Sequence, residues 1–186
     1  MVSGYTTFVN DGVRVDPILV TQIEDMHGNI VATFAPKMTE VLTADAAHKM
    51  LYMLQNVVNG GTGGRLRSSF GLQMPLGGKT GTTQNNSDTW FMGFTPDLVA
   101  GCWVGGEERS VRFNSMAFGQ GAAAALPIFG KFLKNVYGYS KLGYLANIPF
   151  QLPEGFSPCY DAGNSDEAVE IYEGVNPDST GSYSPF

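Results

Sequence analysis

A run of strand-forming sequence opens with Gly77-Gly78-Lys79-Thr80-Gly81-Thr82-Thr83 and continues as Thr89-Trp90-Phe91-Met92-Gly93-Phe94 and Leu98-Val99-Ala100-Gly101-Cys102-Trp103-Val104. The last two segments are rich in β-branched and aromatic residues, and Thr95-Pro96-Asp97 between them is a short turn. These three segments predict a three-stranded antiparallel meander. Cys102, in an aromatic run, is interpreted as a small buried hydrophobic residue.

Helical patterns lie on both sides of this meander. Thr43 is a suitable N-cap for a helix that ends at Gly60-Gly61, and apolar residues recur along it at helical spacing while His48 falls off that stripe. A final helix is predicted from about Leu126 to Tyr137. Its apolar face is assigned to Ile128, Phe129, Phe132, Leu133 and Val136. Helices before and after an antiparallel sheet indicate the α+β class.

The first 34 residues predict one more helix and a hairpin. Helical spacing covers residues 2–9, and because no capping residue precedes this helix, we expect its start to be truncated. Residues 18–24 and 30–34 flank a five-residue loop and predict a β-hairpin. His27 lies in that loop and is interpreted as solvated.

Length and charge exclude several classes of protein. A chain of 186 residues is expected to bury about 70% of its extended surface, which is enough for one hydrophobic core. Residues 1–150 are nearly neutral, whereas residues 151–186 carry seven acidic and no basic groups and are predicted to be an extended or disordered tail. The basic residues are scattered, which argues against nucleic-acid binding. No membrane span, signal peptide, metal cluster or cofactor motif is visible, and two cysteines make no disulfide framework.

The segment around Lys79 has three interpretations. A phosphate-binding P-loop is disfavoured, because Gln73 stands where that motif needs glycine and strand-like sequence follows Thr80. The second interpretation is an ordinary core strand whose Lys79 side chain is solvated. The third is the K-T-G element of serine acyl-transfer enzymes that react with penicillins, which lies on a strand beside the nucleophile.

The third interpretation makes physical sense for a peptide ligand. The Lys79 ammonium and nearby hydroxyls suit a carboxylate, and Gly81 lets an extended peptide approach and pair as an added strand. Alternation along a strand, however, places Thr80 and Thr82 on one face and Lys79 on the other, so a twisted edge strand is required. Arg65 and Arg67 either face an anionic ligand or are solvated loop residues.

The surrounding sequence resembles the transpeptidase domain of class A, bifunctional penicillin-binding proteins over about residues 2–137. The segments that carry the resemblance are Gly78-Lys79-Thr80-Gly81-Thr82-Thr83, residues 88–99, Trp103-Val104-Gly105, Gly61-Thr62-Gly63, residues 5–12 and residues 124–129. The resemblance implies a partial β-lactamase/transpeptidase-like fold in residues 1–150, with an antiparallel sheet, flanking helices and a truncated N-terminus.

The same resemblance implies a function. The family cross-links peptidoglycan stem peptides by attacking a D-alanyl-D-alanine bond through a serine acyl-enzyme, outside the cytoplasmic membrane, and binds β-lactams. Lys79 matches the lysine that contacts the donor carboxylate and a serine of a second motif. Thr80 and Thr82 match the hydroxyls that bind that carboxylate, and the Thr82 backbone N–H matches an oxyanion donor. Trp90 and Trp103 match aromatic positions and are interpreted as core.

The sequence departs from the family pattern in its nucleophile. Neither S-x-x-K nor S-x-N occurs in the 186 residues, and the family places both upstream of K-T-G. We therefore expect a C-terminal portion of a transpeptidase domain that is inactive by itself and self-associates through exposed apolar surface. The alternative is a non-catalytic binding module for D-alanyl peptides or a protein partner.

Overall fold

The computed structural model describes residues 1–158, of which residues 1–154 form one unit. The regular elements are α1 (Val2–Val9), β1 (Val13–Val15), β2 (Gln22–Glu24), β3 (Ile30–Thr33), β4 (Met38–Glu40), α2 (Ala44–Asn59), α3 (Arg65–Ser68), β5 (Gly77–Thr82), β6 (Asp88–Phe94), β7 (Val99–Gly105), α4 (Met116–Gly119) and α5 (Ala125–Gly138). Short 3-10 turns cover Gln84–Asn86 and Ser140–Leu142. The fold is therefore α+β with antiparallel sheets and helices.

The predicted meander forms the central sheet. β5, β6 and β7 are antiparallel in that order, with Lys79 opposite Met92 and Trp90 opposite Trp103. β5 lies at one side of the described sheet, so one of its edges faces no described strand. This confirms the meander predicted from sequence and the edge position that a common ligand site requires.

Helices cover both faces of the central sheet. On one face Phe91 packs against Phe129 of α5, with ring centroids 4.9 Å apart. On the other face Phe94 packs against Tyr5 of α1, with centroids 6.4 Å apart, and belongs to a buried cluster with Leu51 of α2. Since neighbouring side chains on a strand point to opposite faces, the two clusters make three layers around one sheet.

Helix α2 begins as the sequence predicts, because the Thr43 hydroxyl accepts a hydrogen bond from the Ala46 N–H. The sequence pattern placed His48 off the apolar stripe and did not predict that it is buried. His48 is 7% exposed, and its Nε2 lies 2.8 Å from Oδ1 of Asp11. An imidazole can lie at the edge of an apolar face when a polar partner satisfies its ring nitrogen.

Helix α5 is present, but its buried face differs from the prediction. Phe129 and Leu133 are buried together with Leu126, whereas Ile128 and Phe132 are exposed. Apolar residues occur almost all around this helix, so spacing alone did not select the buried stripe. Gly130 lies on the buried stripe, where α5 approaches Phe70 so closely that a Cβ at position 130 would lie 2.8 Å from its ring.

Two small antiparallel pairs lie between α1 and α2. β2 and β3 confirm the hairpin, although its strands are shorter than predicted, and Asp25 Oδ1 accepts the N–H groups of His27 and Asn29 within its exposed turn. The pair β1–β4 was not predicted, because each of its strands has only three residues and its partner is distant in sequence. Short strands of this kind lack a periodic signal.

Two other interpretations of core residues need correction. Trp103 is 46% exposed, and Trp90 is partly buried and packs against it, with ring centroids 6.3 Å apart. Cys102 is half-buried against the core, and this burial raises the pKa of its thiol.

Residues 151–158 contain no helix or strand, and the rest of the predicted acidic tail lies outside the described residues.

Candidate functional site

The free edge of β5 presents the backbone of alternate residues. The Thr83 N–H donates to the Asp88 carbonyl at 3.0 Å, so the backbone of Thr83 faces β6. Backbone groups in an antiparallel strand point alternately to its two sides. Those of Thr80 and Thr82 therefore point away from β6, to the edge that no described strand occupies.

The Lys79 side chain reaches this same edge. Its ammonium is exposed, and Nζ donates to the Thr80 carbonyl at 2.9 Å. Because that carbonyl points to the free edge, the ammonium lies there too, although Lys79 and Thr80 alternate in side-chain direction. The length of the lysine side chain thus lets its ammonium reach the edge where the Thr80 carbonyl lies, although side chains alternate along the strand.

The two threonine hydroxyls lie on the other side of the edge and contact two loops. Thr80 Oγ1 lies 3.0 Å from Thr62 Oγ1 in the loop after α2. Thr82 Oγ1 accepts the Gly121 N–H at 3.0 Å in the loop before α5. A hydroxyl that accepts one hydrogen bond still has a proton to donate. The Thr82 hydroxyl can therefore still donate to an anionic ligand.

The loop before α5 approaches the strands closely because of a glycine. A Cβ at position 121 would lie 2.4 Å from the Trp90 carbonyl oxygen and 2.6 Å from the Gly81 carbonyl oxygen. The Gly121 backbone therefore lies directly on β5 and β6 only if this residue has no side chain. Sequence reasoning missed Gly121, because nothing local to Gly121-Ala122-Ala123 distinguishes it from other glycines.

The loop after α2 is joined to the loop before α5. Arg65 Nη1 donates to the Ala122 carbonyl at 2.9 Å and so connects the two loops that bind the threonine hydroxyls. Arg67 donates to the carbonyls of Leu72 and Met74, and burial lowers the pKa of its guanidinium. Arg65 is exposed, as the solvated interpretation expects, whereas Arg67 is partly buried; both also donate to backbone carbonyls, which the sequence did not predict.

The first residue of β6, Asp88, carries a carboxylate that accepts hydrogen bonds from the preceding turn and from β7. Asp88 Oδ1 accepts the Trp103 Nε1–H at 3.1 Å, and Oδ2 lies 3.1 Å from the Ser87 hydroxyl and 3.2 Å from that of Thr83. The hydrogen bond from Trp103 is the largest cause that lowers the pKa of Asp88, followed by those from Ser87 and Thr83 and by the positive charge of Arg109. Donors and a nearby cation that favour the ionised form explain this direction.

The described residues hold neither a metal cluster nor a membrane-spanning helix. No group of three or more metal-ligating side chains is found within residues 1–158. In the same range, no helix is long and apolar enough to cross a membrane. The β5 edge presents an ammonium, hydroxyls and backbone groups that pair with no described strand.

Comparison with known proteins assigns the family. Residues 1–124 match the model of the penicillin binding protein transpeptidase domain, and the chain belongs to this family. The resemblance to class A penicillin-binding proteins that the sequence indicated is thereby confirmed.

Individual relatives agree with this assignment. Penicillin-binding protein 1A of Aquifex aeolicus is 33% identical over 136 residues, which make up 73% of this chain and 18% of the relative. Penicillin-binding protein 1A of Clostridium perfringens is 31% identical over 181 residues, or 96% of this chain and 19% of the relative. The chain thus spans less than a fifth of the length of these relatives.

A solved structure shares the fold. The crystal structure of penicillin-binding protein 1A from Haemophilus influenzae matches with a TM-score of 0.70 at 21% identity, over 82% of this chain and 27% of the other. This likeness and the family match over residues 1–124 confirm the transpeptidase-like fold that the sequence predicted.

Proposed function

We propose that this chain supplies the strand-borne K-T-G element of a peptidoglycan D,D-transpeptidase, and that the serine nucleophile of that enzyme lies outside these 186 residues. The observation that carries the proposal is the free edge of β5, where the Lys79 ammonium and the backbone of Thr80 and Thr82 lie together. Membership in the transpeptidase-domain family supports it.

The proposed role of this edge is to hold a donor peptide while another part of the enzyme attacks it. The Lys79 ammonium and the threonine hydroxyls bind the terminal carboxylate of a D-alanyl-D-alanine peptide. A serine oxygen attacks the carbonyl carbon of the penultimate D-alanine, and the Thr82 N–H donates to the oxyanion that forms. The bond to the terminal D-alanine then breaks, which releases D-alanine and leaves an acyl-enzyme. Removing one such donor elsewhere costs about 2.7–4 kcal/mol of transition-state stabilisation.

The first prediction separates binding from catalysis. We expect the 186-residue chain to bind an acetylated peptide ending in D-alanyl-D-alanine weakly and reversibly, and to keep its intact mass after incubation with penicillin, because no S-x-x-K serine is present. Amide chemical-shift titration measures the binding, and mass spectrometry detects any acyl adduct. Lys79→Ala should reduce the binding at least several-fold, since it removes the ammonium at the edge.

The control for this experiment is Lys131→Ala, which removes an equal charge from the exposed face of α5. It should leave the peptide affinity unchanged. A stoichiometric penicillin adduct on any serine would overturn the proposal that the nucleophile is absent. Absence of peptide binding at millimolar concentration would overturn the proposed role of the β5 edge.

A non-catalytic binding module for D-alanyl peptides or a protein partner is the alternative. It shares the same edge and predicts the same loss of affinity on Lys79→Ala. The coding sequence upstream of Val2 distinguishes the two functions. In-frame S-x-x-K and S-x-N motifs there support the transpeptidase, whereas a stop codon and a ribosome-binding signal support the module.

We further propose an extracytoplasmic location for the longer protein, where its peptidoglycan substrate lies, and self-association of the isolated chain. Self-association is favoured by the arm, defined here as residues 17–37, whose apolar side chains are largely exposed. Leu19 is fully exposed and Met26 is 91% exposed. Apolar surface of this extent favours contact with another protein surface.

A further inference from the structure

A cavity of about 450 Å³ lies at the C-terminal end of β5, next to the proposed ligand edge. Its lining is formed by Thr82, Thr83, Gln84, Asn85, Ser87 and Arg109. Every one of these side chains is polar, and one is charged. The cavity therefore continues the β5 edge beyond Thr82 with hydrogen-bonding groups and a single cation.

The Arg109 guanidinium is available to a ligand. It is exposed, and within residues 1–158 it makes neither an ion pair nor a hydrogen bond. The nearby Asp88 carboxylate accepts hydrogen bonds from Trp103, Ser87 and Thr83. Its charge interacts with that of Arg109 at a distance beyond an ion pair, so the guanidinium keeps its donors for a ligand. Glu107 and Glu108 precede Arg109 on the same loop but do not line the cavity.

The direction of a bound peptide brings its side chains to this cavity. A peptide that pairs antiparallel to β5, with its carboxylate at Lys79 and Thr80, runs backwards along the edge past Thr82. Each of its residues advances about 3.3 Å. The residue two or three positions before the C-terminal one consequently lies beside Thr82 and Thr83, where the cavity opens.

We propose that Arg109 and this cavity form an anion-binding subsite that selects peptides with a second carboxylate two or three residues before the terminal one. The inference rests on the proposed function of the β5 edge and adds a specificity determinant to it. A charge-assisted hydrogen bond from a guanidinium to a carboxylate is the interaction that discriminates.

The test compares two acetylated tetrapeptides that end in D-alanyl-D-alanine and carry glutamate or glutamine two residues before the C-terminal residue. Titrated against the 186-residue chain, the glutamate peptide should bind roughly 3- to 10-fold more tightly. Arg109→Gln should abolish this preference and leave the affinity for the glutamine peptide unchanged. Amide chemical shifts report both affinities and the folded state of each variant.

The matched control is Arg112→Gln on the same loop, because Arg112 lines a different cavity, with Val111 and Phe113. It should retain the preference for glutamate. Equal affinities for the two peptides, with both lost in Lys79→Ala, would overturn the subsite and leave the proposed function standing. Loss of the preference in Arg112→Gln as well would also overturn it, and failure of both peptides to bind would count against the edge itself.

Discussion

At the residue scale, Asp88 shows how the turn beside the site is held. Its carboxylate accepts hydrogen bonds from a tryptophan of β7 and from hydroxyls within the turn, and its backbone N–H donates to Thr83 Oγ1 at 2.8 Å. Asn85 and Asn86 in this turn have φ angles of 60° and 56°. Asparagine tolerates that region better than most residues. Asp88 thus helps to fix the conformation that directly follows Thr82.

The lowered pKa of Asp88 predicts a dependence of stability on pH. A carboxyl group whose pKa falls on folding stabilises the folded state when ionised, so this contribution is present above its ordinary pKa of about 4. It is lost as the pH falls through the lower folded-state value. As the pH falls below about 5, the Asp88→Asn variant should therefore lose less free energy of unfolding than the unchanged chain, as measured by urea denaturation.

Trp103→Phe tests the cause of that shift. It removes the indole N–H, the largest cause that lowers the pKa of Asp88, and keeps an aromatic ring. The pH dependence of its free energy of unfolding should be weaker than that of the unchanged chain and stronger than that of Asp88→Asn. If Trp103→Phe retains the full pH dependence of the unchanged chain, the indole hydrogen bond is not the cause.

At the scale of elements, the contact between β6 and α5 depends on Gly93. A Cβ at this position would lie 2.4 Å from the Phe129 ring, which is itself fully buried. Gly93→Ala should lower the free energy of unfolding by about 1–3 kcal/mol, because an added methyl group in a packed core forces the sheet and the helix apart. Urea denaturation followed by circular dichroism measures the change.

Gly4→Ala is the control for Gly93→Ala. Gly4 lies within α1, and an added Cβ would meet no atom within 4 Å. The same substitution there should stabilise the chain by about 0.5–1 kcal/mol through helix propensity. Equal effects of the two substitutions would contradict the assigned contact between Gly93 and Phe129.

The elements that the sequence predicted are those with a strong local signal. The apolar stripe and Thr43 cap predicted α2, and the β-branched and aromatic runs around Pro96 predicted β6 and β7. The pair β1–β4 was missed because its register joins Val13 to Glu40, across 27 positions of chain. Pairing between such short, distant segments is decided by tertiary packing, which no local pattern records.

The residues of the candidate site were likewise predicted only where the local sequence carries a signal. The motif and its resemblance to a family identified Lys79, Thr80 and Thr82, whose shared edge follows from strand geometry. Thr62 and Gly121 were missed, because they reach β5 through loops whose paths depend on packing against the sheet. The sequence therefore identified the strand that presents the proposed ligand edge, but not the loops that contact its hydroxyls.

At the scale of the whole molecule, the arm differs from the rest of the described chain. Its strands β2 and β3 pair only with each other, and Val31 and Ile30 on β3 are 66% and 61% exposed. A two-stranded hairpin by itself is marginally stable in water. Its apolar side chains and unpaired strand edges favour contact with a further protein surface, and we expect a second copy to provide that surface in the isolated chain.

This predicts concentration-dependent self-association through the arm. The weight-average sedimentation coefficient of the unchanged chain should rise with protein concentration, and Leu19→Lys combined with Val31→Lys should suppress the rise by placing charge on the apolar surface. Phe118→Lys serves as the control, since Phe118 is 71% exposed but lies outside the arm, and it should leave the rise intact. A sedimentation coefficient that stays constant for the unchanged chain up to millimolar concentration would show that the arm does not mediate self-association.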